Sequence, residues 1–260
     1  MKSLAEYNHL GEELERLLLL KTSPIAVKML EKEADIPEGA LRPRRDEGVH
    51  YAQCQVFTMA RRLGRTVAMC LEDNWCWAPP IAFGLLSMPD DPFIRSQAMF
   101  PCFEVGRYIG LVTGPLKSAR FEPDLVLIYS NTAQLRSLLM AVKHVEKALV
   151  TSQFDAIDSC AFSIVPVVQT GEYRITIPDP GEAARAFAGE DEIIFSVPAA
   201  RLPGLVEGLR QLEARRGGYR NAGPEIVPDF PRPDFYRKLY EKWGLDVEGE
   251  GEDQKSKSKD

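Results

Sequence analysis

No apolar run in this chain approaches the ~20 residues that a membrane-spanning helix needs, and the densest stretches, "LVLIYS" and "IIFSV", end far sooner. A surplus of basic charge is missing too. The formal charge is −6 and the pI near 5.3. Apart from short clusters such as Arg42, Arg44 and Arg45 the cations are scattered, which leaves no field for a phosphate backbone, so nucleic-acid binding is not expected. The glycine spacings of a dinucleotide loop and of a P-loop are absent, as are any CxxC pair and the cysteine run of a ferredoxin. The amino-terminal "MKSLAEYNHLGEELERLL" is too acidic for a signal or transit peptide, and the expectation is a cytoplasmic protein without a membrane partner.

What is present is the composition of a folded protein: 260 residues, 45% hydrophobic and 27% charged. Apolar residues at steps of three or four predict an opening helix over Leu4 to Leu18, and a second helix is expected from about His50 to Leu63, stopped by Gly64. Strands are read in "SPIAVKML", "TVAMCLE", "RYIGLVTGPL", "PDLVLIYS", "EYRITIP" and "EIIFSVP". Further helices are read in "PPIAFGLLSM", in "NTAQLRSLLMAVKHV", capped by Asn131 or Thr132, and in "AARLPGLVEGLRQLEA". The expected class is α+β, a mixed sheet with flanking helices. "PDLVLIYSNTAQLRSLLMAV" and "DEIIFSVPAARLPGLVEGLRQL" share one order of acidic lead, strand, turn and helix, which suggests two related α/β halves around a cleft. The expected organisation is one domain over residues 1–248, with halves of about 1–145 and 146–215, a C-terminal wrap over 216–248 either packed through Phe230, Phe235 and Tyr236 or mobile as a cover, and a disordered tail at 249–260.

Five cysteines, Cys54, Cys70, Cys76, Cys102 and Cys160, make an odd number in a chain read as intracellular, where thiols, metal ligands or redox groups are expected rather than structural disulfides. Cys76 lies just ahead of Pro79 and a predicted helix start, where unpaired N–H groups favour a thiolate, whereas Cys70 is read as packing inside a strand. His50 falls one helical turn before Cys54 if the second helix starts early, close enough to share a ligand set; His9 and His144 are read as surface residues. Glu72 and Asp73 read as a solvated loop, with an acid/base pair as the alternative, and Trp75 and Trp77 as rim or core packing, with stacking on a flat ligand as the alternative. "SNTAQ", with Ser130, Asn131, Thr132 and Gln134, follows a strand and opens a helix. Together with Arg185 it forms a candidate anion site, with ordinary helix capping as the bland reading.

The motifs "SPIAVKML", "CQVFTMARRLGRTVAMCLEDNWCWAPPIAFGLL", "FEVGRYIGLVTGPL", "PDLVLIYSNTAQLRSLLMAV", "CAFSIVPVVQTGEYRITIPDPG" and "DEIIFSVPAARLPGLVEGL" together resemble a family defined only as a domain of unknown function, number 169, over Ser23 to Leu212. The resemblance implies no activity. It implies that Cys54, Cys76 and Cys160 occupy positions where members tend to carry cysteine, while Cys70 and Cys102 do not.

The leading expectation is a soft metal centre, an iron–sulfur cluster before zinc, held by Cys54, Cys76 and Cys160 with Cys102 or His50 assisting, in electron transfer or as an accessory to a redox partner protein. One alternative is a metal-free protein that binds a small anionic ligand. Another is a subunit that docks a partner through the Pro-rich segment 224–235. No catalytic residue is assigned.

Overall fold

In the computed structural model the described residues are 3–215, 217–219, 228 and 232–245. The chain divides into two compact units, residues 1–222 and 223–260.

The first unit is built on six strands: β1 (Ile25–Leu30), β2 (Val67–Cys70), β3 (Gly110–Pro115), β4 (Leu125–Ser130), β5 (Arg174–Thr176) and β6 (Ile193–Pro198). They form one sheet in the order β2-β3-β1-β4-β6-β5. Among the described residues every strand pairing is antiparallel, and parallel pairing is confined to two isolated bridges, Leu41 with Val67 and Tyr51 with Asn74. The α+β class holds, with a wholly antiparallel sheet in place of a mixed one.

Side-chain alternation divides each strand between two cores. Ala26, Leu30, Val112, Val126, Ile128, Phe195 and Val197 face one side, where they meet α1 (Leu4–Leu18), α5 (Thr132–Glu146) and α8 (Leu202–Ala214). Ile25, Val27, Met29, Leu111, Leu125, Leu127, Tyr129 and Ile194 face the other, under α2 (Gln53–Leu63), α3 (Ala78–Ala82) and α6 (Ser159–Thr170). Helices cover both faces, which is why the central strands read as continuous apolar runs rather than as alternating ones. Two shorter helices, α4 (Pro92–Gln97) and α7 (Pro180–Arg185), lie in the connections.

The two segments of shared pattern are direct neighbours: β4 pairs with β6 from Leu125–Pro198 to Ser130–Ile193, and α5 packs on α8. The sheet runs unbroken across them.

Four local differences from the sequence reading bear on the site. The second helix starts at Gln53 rather than His50, because Tyr51 is held in its bridge to Asn74. The helix at the proline pair is only Ala78–Ala82; Gly84 turns it at φ +69°, and a side chain there would meet the Glu104 carbonyl at 2.5 Å. "SCAFSIVPVVQT", without a predicted element, is helix α6 despite Pro166 in its interior. In the second unit, α9 (Asp234–Lys242) lies in the segment read as a wrap, and Phe235 and Tyr236 are exposed. Phe230, the tail 249–260 and most of the Pro-rich segment lie outside the described residues.

Candidate functional site

Three of the five cysteines stand at helix starts. Cys54 is the second residue of α2, Cys160 the second residue of α6, and Cys76 lies two residues ahead of α3. The fold brings these starts together on one face of the sheet. Cys76 packs against the cluster of Ala52, Cys54 and Ala186 and also against the larger core that contains Cys160. Cys54 and Cys160 are buried, whereas Cys76 is half-buried.

The surroundings of the two buried thiols favour their neutral form. Burial pushes the Cys54 thiol up to about 12; the nearby carboxylates Glu182 and Asp179 and the Cys76 sulfur push the same way, and the Gln55 N–H opposes them. Burial likewise lifts Cys160 well above the ordinary thiol value, with Cys76, Asp179, Cys54 and Asp158 adding to the rise. At neutral pH these two groups are thiols, and a thiolate at either needs a cation beside it.

A carboxyl network fixes the α6 and α7 ends of this region. Asp179 caps α7, with its Oδ1 accepting from the Glu182 N–H at 2.7 Å, and its Oδ2 accepts from the Ser159 N–H at 3.2 Å and the Ser159 hydroxyl at 3.1 Å. The Ser159 hydroxyl also approaches Glu182 Oε2 at 2.8 Å, and the Tyr129 hydroxyl donates to Glu182 Oε1. Glu182 has no exposed surface, and burial raises its carboxyl to about 7 against the lowering hydrogen bonds from Tyr129 and Ser159.

The far end of α7 is clamped to α2. The Thr58 hydroxyl donates to the Ala186 carbonyl, Arg61 makes a two-pronged pair with Glu192 at 2.8 and 3.0 Å, and both Arg61 and Arg62 reach the Phe187 carbonyl. This clamp carries Arg185 to a cleft of about 740 Å³ in front of Cys76, where it joins His50, Gln55, Trp75 and Trp77. Asp73 departs from the solvated-loop reading, whereas Glu72 is exposed as expected and pairs with Arg42. Asp73 is fully buried and accepts from the N–H groups of Cys70 and Arg44 at 2.9 and 2.8 Å and from Arg42 Nε at 3.0 Å. Tyr51 N–H donates to the Asp73 carbonyl and Trp75 N–H to the Tyr51 carbonyl, at 3.1 and 3.0 Å. The buried ion pair therefore holds the cleft wall, and Asp73 is structural rather than an acid/base.

The remaining candidates fall elsewhere. Cys70 is inside β2, its thiol lifted by burial to about 11. Cys102 is on an exposed loop, with its Sγ 3.6 Å from the Phe100 carbonyl. His50 precedes α2, so it is not one helical turn from Cys54; it lines the cleft with its ring 5.5 Å from that of Trp75. In "SNTAQ", Ser130 donates to the Ile193 carbonyl, Asn131 caps α5 by accepting from the Gln134 N–H, and Gln134 Nε2 donates to the carbonyls of Leu18 and Leu19. Thr132 is the first residue of that helix. Sequence reasoning missed Glu182, Asp179 and Ser159, because nothing local marked Glu182 as buried. Among the described residues, no three or more His, Cys, Asp or Glu side chains stand in a ready metal-binding arrangement. No helix among them is long and apolar enough to cross a membrane.

The sequence profile of DUF169, described as an uncharacterised ArCR family, matches residues 13–208. An uncharacterised protein of Methanocaldococcus jannaschii is similar at 21% identity over 218 residues, covering 76% of this chain and 91% of the relative. No solved structure matches.

Proposed function

Because the chain belongs to the DUF169 family, whose description leaves activity open, we propose its function from the site itself: a soft metal centre, an iron–sulfur cluster before zinc, bound by Cys54, Cys76 and Cys160. The observation that carries this reading is the meeting of three cysteine-bearing helix starts on one face of the sheet. Burial and nearby carboxylates oppose thiolates at Cys54 and Cys160, so a bound cation would have to supply the compensating charge. Thiolate ligands select zinc, copper(I) or iron–sulfur clusters over magnesium or calcium.

Among the described residues the side chains do not form a ready coordination shell, and the centre would be held by the sulfurs of Cys54, Cys76 and Cys160. Cys76 would be the ligand on the cleft side, and the centre would supply electron-transfer chemistry there. The role that follows is electron transfer with a redox partner protein, or an accessory role in a larger redox system, in the cytoplasm.

Metal and acid-labile sulfide analysis of protein purified without oxygen, with its ultraviolet–visible spectrum, tests this. Near-equal iron and sulfide, lost in Cys76→Ala and retained in Cys70→Ala, is the expected result. Protein that holds neither metal nor visible absorbance, even after anaerobic reconstitution, would sink the proposal.

A further inference from the structure

The cleft in front of Cys76 has a composition that a metal site does not require. Trp75 is 76% exposed and Trp77 48%, although tryptophan is among the side chains that gain most from leaving water. The two rings flank the cleft mouth without closing it. Their walls are fixed by the Tyr51–Trp75 backbone hydrogen bond and by a ring contact of 5.6 Å between Trp77 and Phe100.

The charge of the cleft runs against that of the chain. In a protein with six more acidic than basic groups, the lining residues Val49, His50, Ala52, Gln55, Trp75, Cys76, Trp77 and Arg185 include no carboxylate. Among the described residues the Arg185 side chain, which is exposed, has no hydrogen-bond or ion-pair partner. Gly181 leaves room for it: a Cβ there would come within 2.5 Å of Arg185 Nη2. Asp179, whose Oδ1 would stand 3.1 Å from the same Cβ, already accepts from the Ser159 N–H and hydroxyl and the Glu182 N–H. Gln55 commits its Oε1 to the Ala52 N–H at 2.9 Å, which leaves its Nε2 as a further donor into the cleft.

We propose that this cleft is a binding site for a planar organic anion, an aromatic or conjugated carboxylate, with Arg185 and the Gln55 amide taking the carboxylate and Trp75 and Trp77 taking the flat apolar body. A guanidinium fork matches a carboxylate in two parallel hydrogen bonds, and indole rings stack on planar ligands. A cleft of about 740 Å³ suits a ligand of this size. The site stands on these residues alone, whether or not Cys76 holds a metal.

Isothermal titration of the full chain with naphthalene-2-carboxylate, and with the uncharged naphthalene-2-carboxamide as its near isostere, tests the assignment. The carboxylate is expected to bind at least about tenfold more tightly than the amide, since hydrogen bonds to a charged group are stronger than those to a neutral one. Arg185→Gln is expected to abolish that preference, and Trp75→Ala to weaken both compounds. No saturable binding of the carboxylate at millimolar concentration, equal affinity for the two compounds, or an unchanged preference in Arg185→Gln would each overturn the proposal. The carboxylate-against-amide comparison needs no variant, and a metal-free result in the assay above leaves it intact.

Discussion

Glu182 is a carboxyl with no exposed surface, surrounded by two hydroxyls and a neighbouring acid, and its behaviour with pH follows from that burial. In the unfolded chain it ionises near 4.5, whereas in the folded chain it holds its proton until about 7. Below 4.5 both states are protonated and the group contributes no pH dependence. Between 4.5 and 7 the unfolded state sheds its proton while the native state keeps it, so stability falls as pH rises, and above 7 the loss is complete and constant. Each tenfold difference in proton affinity between the two states is worth roughly 1.4 kcal/mol, so the loss is on the order of 3 kcal/mol. Urea unfolding at pH 5 and pH 8 should show a smaller drop for Glu182→Gln than for the wild type, by about that amount. An equal drop in both proteins would mean that the carboxyl ionises with the ease of an exposed one.

At the scale of elements, the α5–α8 contact is set by how near two backbones come. A Cβ on Gly208 would stand 2.9 Å from the Ala141 carbonyl oxygen and 3.0 Å from the Ala141 Cβ, closer than real side chains pack. The glycine costs α8 some intrinsic helix propensity, and the close approach to α5 is what it permits. Gly208→Val should therefore lower stability by about 1–3 kcal/mol through overpacking, read as a lower urea midpoint with an unchanged slope. A rise in the midpoint would show that propensity outweighs the crossing. The same helix pair explains why "SNTAQ" is built as it is: Asn131 and Gln134 form a capping box that starts α5, and the Gln134 amide ties that start to the end of α1 through the Leu18 carbonyl.

At the scale of the whole molecule, all the strands and the apolar clusters among the described residues belong to the unit spanning 1–222. A chain ending at residue 222 is expected to fold cooperatively, because a sheet covered on both faces carries its own core. A single sigmoidal thermal transition with retained helical circular dichroism would meet that expectation; a broad, non-cooperative melt would contradict it. The sequence by itself determined the elements and their punctuation. Period-two and period-3.6 patterns, the glycine at 64 and the asparagine at 131 act over a few residues, and the strands and most helices follow them. It also pointed to Cys76 against Cys70, since a strand interior and a helix start are both local features. Only the tertiary structure decided the company each residue keeps. The strand order β2-β3-β1-β4-β6-β5 brings helix starts at 53, 78 and 159 to one face, buries Asp73 against Arg42 thirty-one residues away, and carries Arg185 to Trp75 instead of to residues 130–134. Such contacts are made between segments far apart in the chain, and no pattern within a single segment encodes which partner it will meet.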